Sequence, residues 1–453
     1  MPQPSGFVYY ADFRFYNKNS LLHGGSMAFK LSNLKKAYRY WKKNGAKAAF
    51  YASLEKYANE KNTCYIKKNL TENELLAQRN TVFRRKYLFS ILVPAYETQP
   101  AHFREMIDSV LAQTYPHFEL LIADAGSSDK LAVQMQYYKD DRLHYFKVGE
   151  NRGISENTNA ALERAKGDYI ALLDHDDTLA PDALYRMMER IAAQEAETGR
   201  LPQMLYSDED KADGDMQVFY EPHFKGKFNL DLLLSNNYIC HFLAMKASLM
   251  KELGFRREYD GAQDHDLVLR AAERLSGKEE LICHIPYVLY HWRCHQNSTA
   301  DNPESKRYAY EAGRRAVEDF CKRQGWQVLV EHTQHLGFFR VNYQGDVLKQ
   351  RADLAAVGGR LLIKGKVAGG AYAEDGSILY AGLHKYFSGY MHRALMQQDV
   401  YAADVRKLRV REDLQELFAR IQTEEADERA ASLRFGGEAQ KMGLRILFDP
   451  YME

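Results

Sequence analysis

Cysteine is scarce in this chain of 453 residues, and what there is stands unpaired. Cys64, Cys240, Cys283, Cys294 and Cys321 include no C-x-x-C pair. That argues against a zinc knuckle or a disulfide framework and suits a reducing cytosol. Long apolar runs are missing too: none approaches the roughly 18 residues that a membrane span needs. The opening MPQPSGFVYYADFRFYN has no basic stretch followed by an apolar core, so no signal peptide is expected. Any membrane contact should then be peripheral. The net charge of +1 gives no pull toward a polyanion, and no nucleic-acid module is present, so no nucleic-acid partner is expected. Two phosphate-binding signatures are also absent. There is no G-x-G-x-x-G after the first strand and no G-x-x-x-x-G-K-[ST], which argues against a dinucleotide enzyme and a P-loop NTPase.

What remains is an ordinary globular composition, 45% hydrophobic and 27% charged, in a chain long enough for two or three domains. The charge is unevenly placed. Residues 30–86 hold fifteen Lys or Arg against four Glu and no Asp. Within LKKAYRYWKKNGAKAAFYASLEKYA, Leu34, Ala37, Tyr38 and Trp41 have helical spacing. Residues 1–86 read as a basic helical segment, either packed on the main domain or lying on an anionic membrane surface.

From Tyr87 short apolar runs alternate with helical patterns. FSILVPAY (89–96), FELLIADAGSSD (118–129), LHYFKV (143–148) and YIALLDHDD (169–177) read as strands. PAHFREMIDSVLAQTY (100–115) and SENTNAALERAKG read as helices. Such alternation predicts a parallel sheet with helices on both faces, binding ligands at the carboxyl ends of its strands. Glu97, Asp124 and Asp174 stand at three of those ends. In YIALLDHDD, Asp174, Asp176 and Asp177 repel one another, which suits a hard divalent cation, Mg²⁺ or Mn²⁺. If the segment is extended, Asp174 and Asp176 face one ion, while Asp177 is free to cap the next helix.

SILVPAYE, LLIADAGSSD, NRGISENTN and GDYIALLDHDD, followed by YSDEDK (206–211), DGAQDHDLVLR (260–270) and LYHWRCHQNSTA (289–300), resemble the inverting family 2 glycosyltransferases with a GT-A fold. The resemblance covers about 89–330. It implies that Pro94, Ala95, Tyr96 and Glu97 line the nucleoside and that Asp124 reads a uracil or thymine base. Ala125 stands where a second Asp is common. It implies that Asn151, Gly153 and Asn159 lie beside the diphosphate, with Asp174 and Asp176 as the metal-binding Asp-x-Asp.

For the acceptor side, the resemblance makes Asp264 the general base; Asp266, two residues on, is read as fixing the loop or capping the helix. It places Asp208 and Glu209 near the acceptor, unless YSDEDK is a solvated turn. It implies metal or phosphate contact from His291, Arg293 and His295, read here as His291 on metal and Arg293 and His295 on phosphate. Segments 357–383, 387–413 and 435–453 resemble later parts of a second glycosyltransferase domain, without its nucleotide motifs; a small unrelated domain is the rival reading.

The expectation is an α/β GT-A domain (87–335), a helical segment before it (1–86), and a degenerate glycosyltransferase-like region after it (336–453). The expected function is Mn²⁺- or Mg²⁺-dependent, inverting transfer from a UDP- or dTDP-sugar to a glycan or lipid-linked glycan. That would serve cell-surface polysaccharide synthesis in the cytoplasm, at the inner membrane face. A non-catalytic subunit of a polysaccharide assembly and a nucleotidyltransferase are the alternatives.

Overall fold

The computed structural model describes residues 38, 41–42, 45–55, 65–294 and 307–452. They divide into two units, Tyr65–Gln344 and a second that joins Met1–Cys64 to Gly345–Glu453.

In the larger unit, FSILVPA forms β1 (Phe89–Ala95), in which every residue except Pro94 is buried. A strand covered on both faces needs this continuous apolar run rather than an alternating one. It pairs in parallel with β2 (Phe118–Asp124), matching Ala95 to Asp124. Beside β2 runs β3 (Leu143–Lys147), and on the other flank of β1 lies β4 (Tyr169–Leu172), both parallel. Helix α1 (Pro100–Leu111) starts on proline, whose missing N–H costs nothing at that position. It buries Phe103, Met106, Ile107 and Val110 in the core shared with Ile91, Val93, Leu120 and Ile122. Helix α2 (Ile154–Arg164) follows Gly153, whose φ is 100° and whose Cβ would fall 2.1 Å from Asp260 Oδ2. Only glycine serves there.

Beyond β4 come β5 (Thr178–Leu179), helix α3 (Ala183–Thr198), β6 (Met204–Ala212), β7 (Phe219–His223), β8 (Leu243–Lys246), helices α4 (Ala247–Leu253) and α5 (Gln263–Arg274), and β9 (Ile282–Arg293). The nine strands run β3-β2-β1-β4-β8-β6-β9-β5, with β7 beside β6. Strand β8 is antiparallel to both β4 and β6, while β9 is parallel to β6. This mixed sheet with its helices has the expected GT-A character. The acids of YSDEDK lie buried inside β6, so the solvated-turn reading is wrong. A hairpin of β10 (Val328–His332) and β11 (Phe339–Tyr343) completes the unit.

The smaller unit has its own sheet: β12 (Leu354–Gly358), β13 (Gln398–Val400), β14 (Leu408–Val410) and β15 (Arg445–Phe448), in the order β13-β15-β12-β14. Strand β12 is antiparallel to β14 and parallel to β15. Helices α6 (Gln415–Glu424) and α7 (Glu428–Lys441) contribute Ile421, Ala431, Phe435 and Ala439 to a core with Ala356, Ile446 and Phe448. Residues 45–55 are helical and present Lys47, Tyr51 and Glu55, at i, i+4 and i+8, to the 384–389 loop. The Glu55 carboxylate accepts from Ser388 N (2.9 Å), Ser388 Oγ (2.9 Å) and Gly389 N (2.6 Å), and Tyr51 stacks on His384. Of the spacing expected from the sequence, Leu34 and Ala37 lie outside the described residues, while Tyr38 and Trp41 are exposed. Among the described residues no helix is long and apolar enough to cross a membrane.

Candidate functional site

The parallel pairing of β1, β2 and β4 brings their carboxyl ends to one edge, and the acids there follow from register alone. Asp124 ends β2 fully buried. Its carboxylate accepts from Gly126 N (2.7 Å) and Tyr145 Oη (2.6 Å) and lies 3.0 Å from Lys147 Nζ. Beside it is a cavity of about 120 Å³ lined by Glu97, Thr98, Gln99, Asp124, Gly126 and Lys130, among others. Glu97, in the left-handed region at φ 48°, is fixed by Ser127 N and Oγ, both at 3.1 Å; these bonds hold its carboxyl below the usual range. Tyr96 is half exposed, as a platform for a flat ring would be, while Pro94 and Ala95 remain inside β1. The Thr98 hydroxyl is buried with no hydrogen-bond partner among the described residues.

Asn151 and Gly153 form the turn into α2. The Asn151 side-chain oxygen accepts from Gly153 N (3.1 Å) and Asn157 Nδ2 (3.0 Å). The Asn159 amide is engaged reciprocally with the Phe255 backbone, at 2.8 and 2.9 Å, so it ties α2 to the segment before α5.

The Asp-x-Asp segment is not extended. Asp177 N donates to Asp174 O at 3.3 Å across a turn over His175 and Asp176, so the i, i+2 argument for a shared face fails. The two carboxylates are nonetheless neighbours. Desolvation, and then the charge of Asp176 against the relief from His241, leave the Asp174 carboxyl above its usual range. That desolvation is partial, since about half of its side-chain surface still meets solvent. Nor does Asp177 cap a helix. It is buried and accepts from Tyr290 Oη (2.5 Å) and Arg293 N (2.7 Å). Burial, with Asp176 and Asp174, pushes its carboxyl well up.

Arg293, expected on phosphate, is fully buried and occupied elsewhere. Its guanidinium donates to Asp176 O (2.6 Å), Gly214 O (2.5 Å) and the Glu105 carboxylate (2.5 Å). It braces the acidic turn from behind. His291 is buried with Nδ1 2.6 Å from Asp210 Oδ1, and its Nε2 has no partner among the described residues. Burial lowers its basicity. His295 lies outside the described residues.

On the acceptor side, Asp264 is the second residue of α5, where a carboxylate is favoured by the helix dipole. Asn237 Nδ2 donates to its Oδ2 at 3.0 Å and His265 N to its Oδ1 at 2.8 Å. Asp264 is also the weakest of the charges that act on Asp174, so the two lie within electrostatic reach although they come from different halves of the fold. Asp266 pairs with Arg256 and Arg270 and so fixes the loop, as expected. Asp208 accepts from Lys225 N (2.9 Å) and lies 2.7 Å from His284 Nε2.

Sequence reasoning missed His241. It precedes β8, and only the sheet order β4-β8-β6 brings it between Asp174 and the acids of β6. Its Nδ1 is 3.1 Å from Glu209 Oε2, its Nε2 3.8 Å from Asp174 Oδ2, and its ring stacks on Tyr290 at 4.6 Å. Burial opposes its charge, but Glu209 and then Asp174 prevail and raise it to about 9. For Glu209, burial also opposes the charge. Lys225, at 3.8 Å, and hydrogen bonds from His223 and His241 prevail and hold it well below its usual range. No spacing motif announces this cluster; a histidine beside an apolar strand looks like core.

Residues 90–254 match the family described as Glycosyl transferase family 2. They form a family 2 glycosyltransferase domain. The chain is 42% identical over 241 residues to the uncharacterized protein y4gI of Sinorhizobium fredii, covering 52% of this chain and 26% of that one. It is 32% identical over 247 residues to the O-antigen biosynthesis protein RfbC of Myxococcus xanthus, covering 53% and 18%. The chain thus spans about a quarter or less of these relatives' lengths. Among solved structures it is similar to Staphylococcus aureus TarS 1-349 in complex with UDP, at 18% identity and a TM-score of 0.37, over 52% of this chain and 71% of that one.

Proposed function

We propose that the domain transfers a sugar, with inversion, from a UDP- or dTDP-sugar to a hydroxyl of a glycan or lipid-linked glycan in polysaccharide synthesis. The observation that carries this reading is the position of Asp174 just past the carboxyl end of β4, beside the ends of β1 and β2, with Asp264 near enough to act on its charge. One acid ends a strand of the nucleotide-binding half, and the other opens a helix of the acceptor half.

The residues fit a hard divalent cation. Asp174 and Asp176 offer oxygen donors, and the charge of Asp176 adds to desolvation in raising Asp174, which a cation would relieve. Among the described residues no three His, Cys, Asp or Glu side chains are grouped as a metal site. Asp174 and Asp176 would hold Mn²⁺ or Mg²⁺, and the ion would neutralise the leaving diphosphate. The chain's own groups do the rest. Tyr96, Glu97 and Asp124 seat the nucleoside. Asp264 takes the proton from the acceptor hydroxyl as its oxygen bonds the anomeric carbon and the bond from that carbon to the phosphate oxygen breaks. Asn237 and the His265 N–H hold that carboxylate in place.

The smaller unit is proposed as a glycosyltransferase-like remnant that positions acceptor or partner. Exposed Tyr38, Trp41, Phe50 and Leu54 in the basic segment support contact with the inner membrane face. Asp264→Asn tests the catalytic reading: nucleotide binding should persist while transfer disappears. Retained turnover would remove Asp264 as the base.

A further inference from the structure

The cavity at the ends of β1 and β2 has one buried acid in its wall, Asp124, and three donors meet on that acid. Strands β2 and β3 are parallel, and their ladder ends on the pair Asp124 and Lys147. Tyr145, two residues before Lys147, points to the same face of β3, so both side chains reach the end of β2. Tyr145 Oη donates to Asp124 Oδ2 at 2.6 Å, and Lys147 Nζ lies 3.0 Å from the same oxygen. Asp124 Oδ1 accepts from Gly126 N at 2.7 Å. Glycine permits that close return of the chain, since a Cβ at Gly126 would stand 2.9 Å from Asp124 Oδ1.

Lys147 also holds the loop that follows. Its Nζ donates to Gly126 O (2.9 Å) and Ser128 O (2.5 Å). An ammonium has three N–H donors, so one goes to the acid and two go to the loop. Asp124, Gly126 and Ser128 all line the cavity of about 120 Å³. Lys147 stands behind that wall, with no donor left for a ligand.

We propose that Lys147 is a positioning residue of the nucleoside site: it ties Asp124 to the 126–128 loop, and the carboxylate so held selects bases that carry a ring N–H. This rests on the donor-site reading above and adds a residue outside the motifs that carry the family resemblance.

The selection follows from counting lone pairs. Every contact to the Asp124 carboxylate comes from a donor, so the group acts only as an acceptor. A carboxylate has about four acceptor positions. Two on Oδ2 and one on Oδ1 are occupied, which leaves one on Oδ1 for the cavity. Uracil and thymine meet it with the N3–H. Cytosine has a lone pair at N3, so acceptor would face acceptor and a buried polar group would lose its partner. Without Lys147, Oδ2 loses a donor and the carbonyls of Gly126 and Ser128 lose theirs. The direction of Oδ1 is then no longer fixed.

The test compares two nucleotides that differ only at that base edge, by calorimetry on the full chain with Mn²⁺ present. UDP is set against CDP, or dTDP against 5-methyl-dCDP if the wild-type chain binds dTDP more tightly. Sugar, diphosphate and metal contacts are common to each pair and cancel in the ratio of affinities. The wild-type chain is expected to prefer the N3–H base by about tenfold or more, the scale of one hydrogen bond to a charged group. Lys147→Met keeps the length of the side chain and removes its donors. It is expected to remove most of the preference, by weakening the N3–H nucleotide and leaving its partner nearly unchanged. Lys147→Gln, with one short donor, serves the same comparison if Lys147→Met does not fold. Lys147→Arg restores the charge and is expected to keep most of the preference. An unchanged ratio in Lys147→Met or Lys147→Gln would overturn the proposal even if both affinities fell, because Lys147 would then support the fold alone. A wild-type chain with no preference for the N3–H base would also overturn it. A wild-type chain that binds neither UDP nor dTDP would instead overturn the donor-site reading beneath it.

Discussion

The acceptor half of the larger unit and the sheet of the smaller unit are built on one plan. In the first, β6 lies between antiparallel β8 and parallel β9, and the chain runs β6, β7, β8, α4, α5, β9. In the second, β12 lies between antiparallel β14 and parallel β15, and the chain runs β12, β13, β14, α6, α7, β15. The side chains differ throughout. Strand β6 carries Asp208, Glu209 and Asp210, whereas β12 is Leu-Ala-Ala-Val-Gly. Helix α5 has Asp264 as its second residue, where α7 has Arg429. Strand β9 runs on to His291 and Arg293, while β15 stops after four residues. The comparison teaches that this three-strand plan is a scaffold. On the proposed function, the chemistry depends on a few acids and on the partners that hold them.

Breaking the acid at the first position should have the largest effect. Asp264→Asn is expected to lower kcat by roughly 10²- to 10⁴-fold, the usual contribution of a general base. Removing the corresponding charge of the smaller unit, Arg429→Ala, should leave kcat unchanged. Steady-state kinetics on the two variants would check the contrast directly.

Next comes the brace. Arg293→Ala leaves Glu105 and the Asp176 carbonyl without their partner and should destabilise the larger unit by about 3–5 kcal/mol. Urea unfolding followed by Trp fluorescence would measure it. Arg406, which pairs with Asp404 in the smaller unit, is partly exposed, and Arg406→Ala should cost much less.

A pH dependence should separate the units further. The folded Glu209 carboxyl lies below its ordinary value, so its ionised form contributes stability above that value. That contribution is lost as pH falls through the depressed folded value. Glu209→Gln should therefore flatten the acid limb of the stability curve for the larger unit, as read by hydrogen exchange in β6 and β8. Because β12 carries no acid, exchange there should not change. The smallest effect is expected from Glu55→Gln. It weakens the charge in three hydrogen bonds to Ser388 and Gly389 and should cost about 1 kcal/mol, measurable as faster exchange in residues 45–55.

How much of this was legible in the sequence follows from the range of the interactions. The runs FSILVPA and FELLIAD, with Glu97 and Asp124 after them, show local periodicity, and parallel pairing alone gathers their ends. Asp264 and Asp266 were legible through their helix start. The turn at His175–Asp176 was not, because Tyr290 and Arg293, far along the chain, impose it on a segment that reads as extended. Asp177 was misread as a cap for the same reason. Arg293 looked like a phosphate ligand because a buried arginine cannot be told from an exposed one by spacing. His241 was invisible because its neighbours, Asp174 and Glu209, arrive through strand order rather than sequence distance.

The central claim is that the acidic crevice holds a nucleoside diphosphate through a divalent cation while Asp264 waits for the acceptor. Calorimetric titration of UDP and dTDP with Mn²⁺, and again with EDTA, tests it most directly on the wild-type, Asp176→Asn and Asp264→Asn chains. The expected result is tight, EDTA-sensitive binding to the wild-type and Asp264→Asn chains and little or none to Asp176→Asn. Binding that ignores EDTA and survives Asp176→Asn, or no binding by the wild-type chain, would contradict the account.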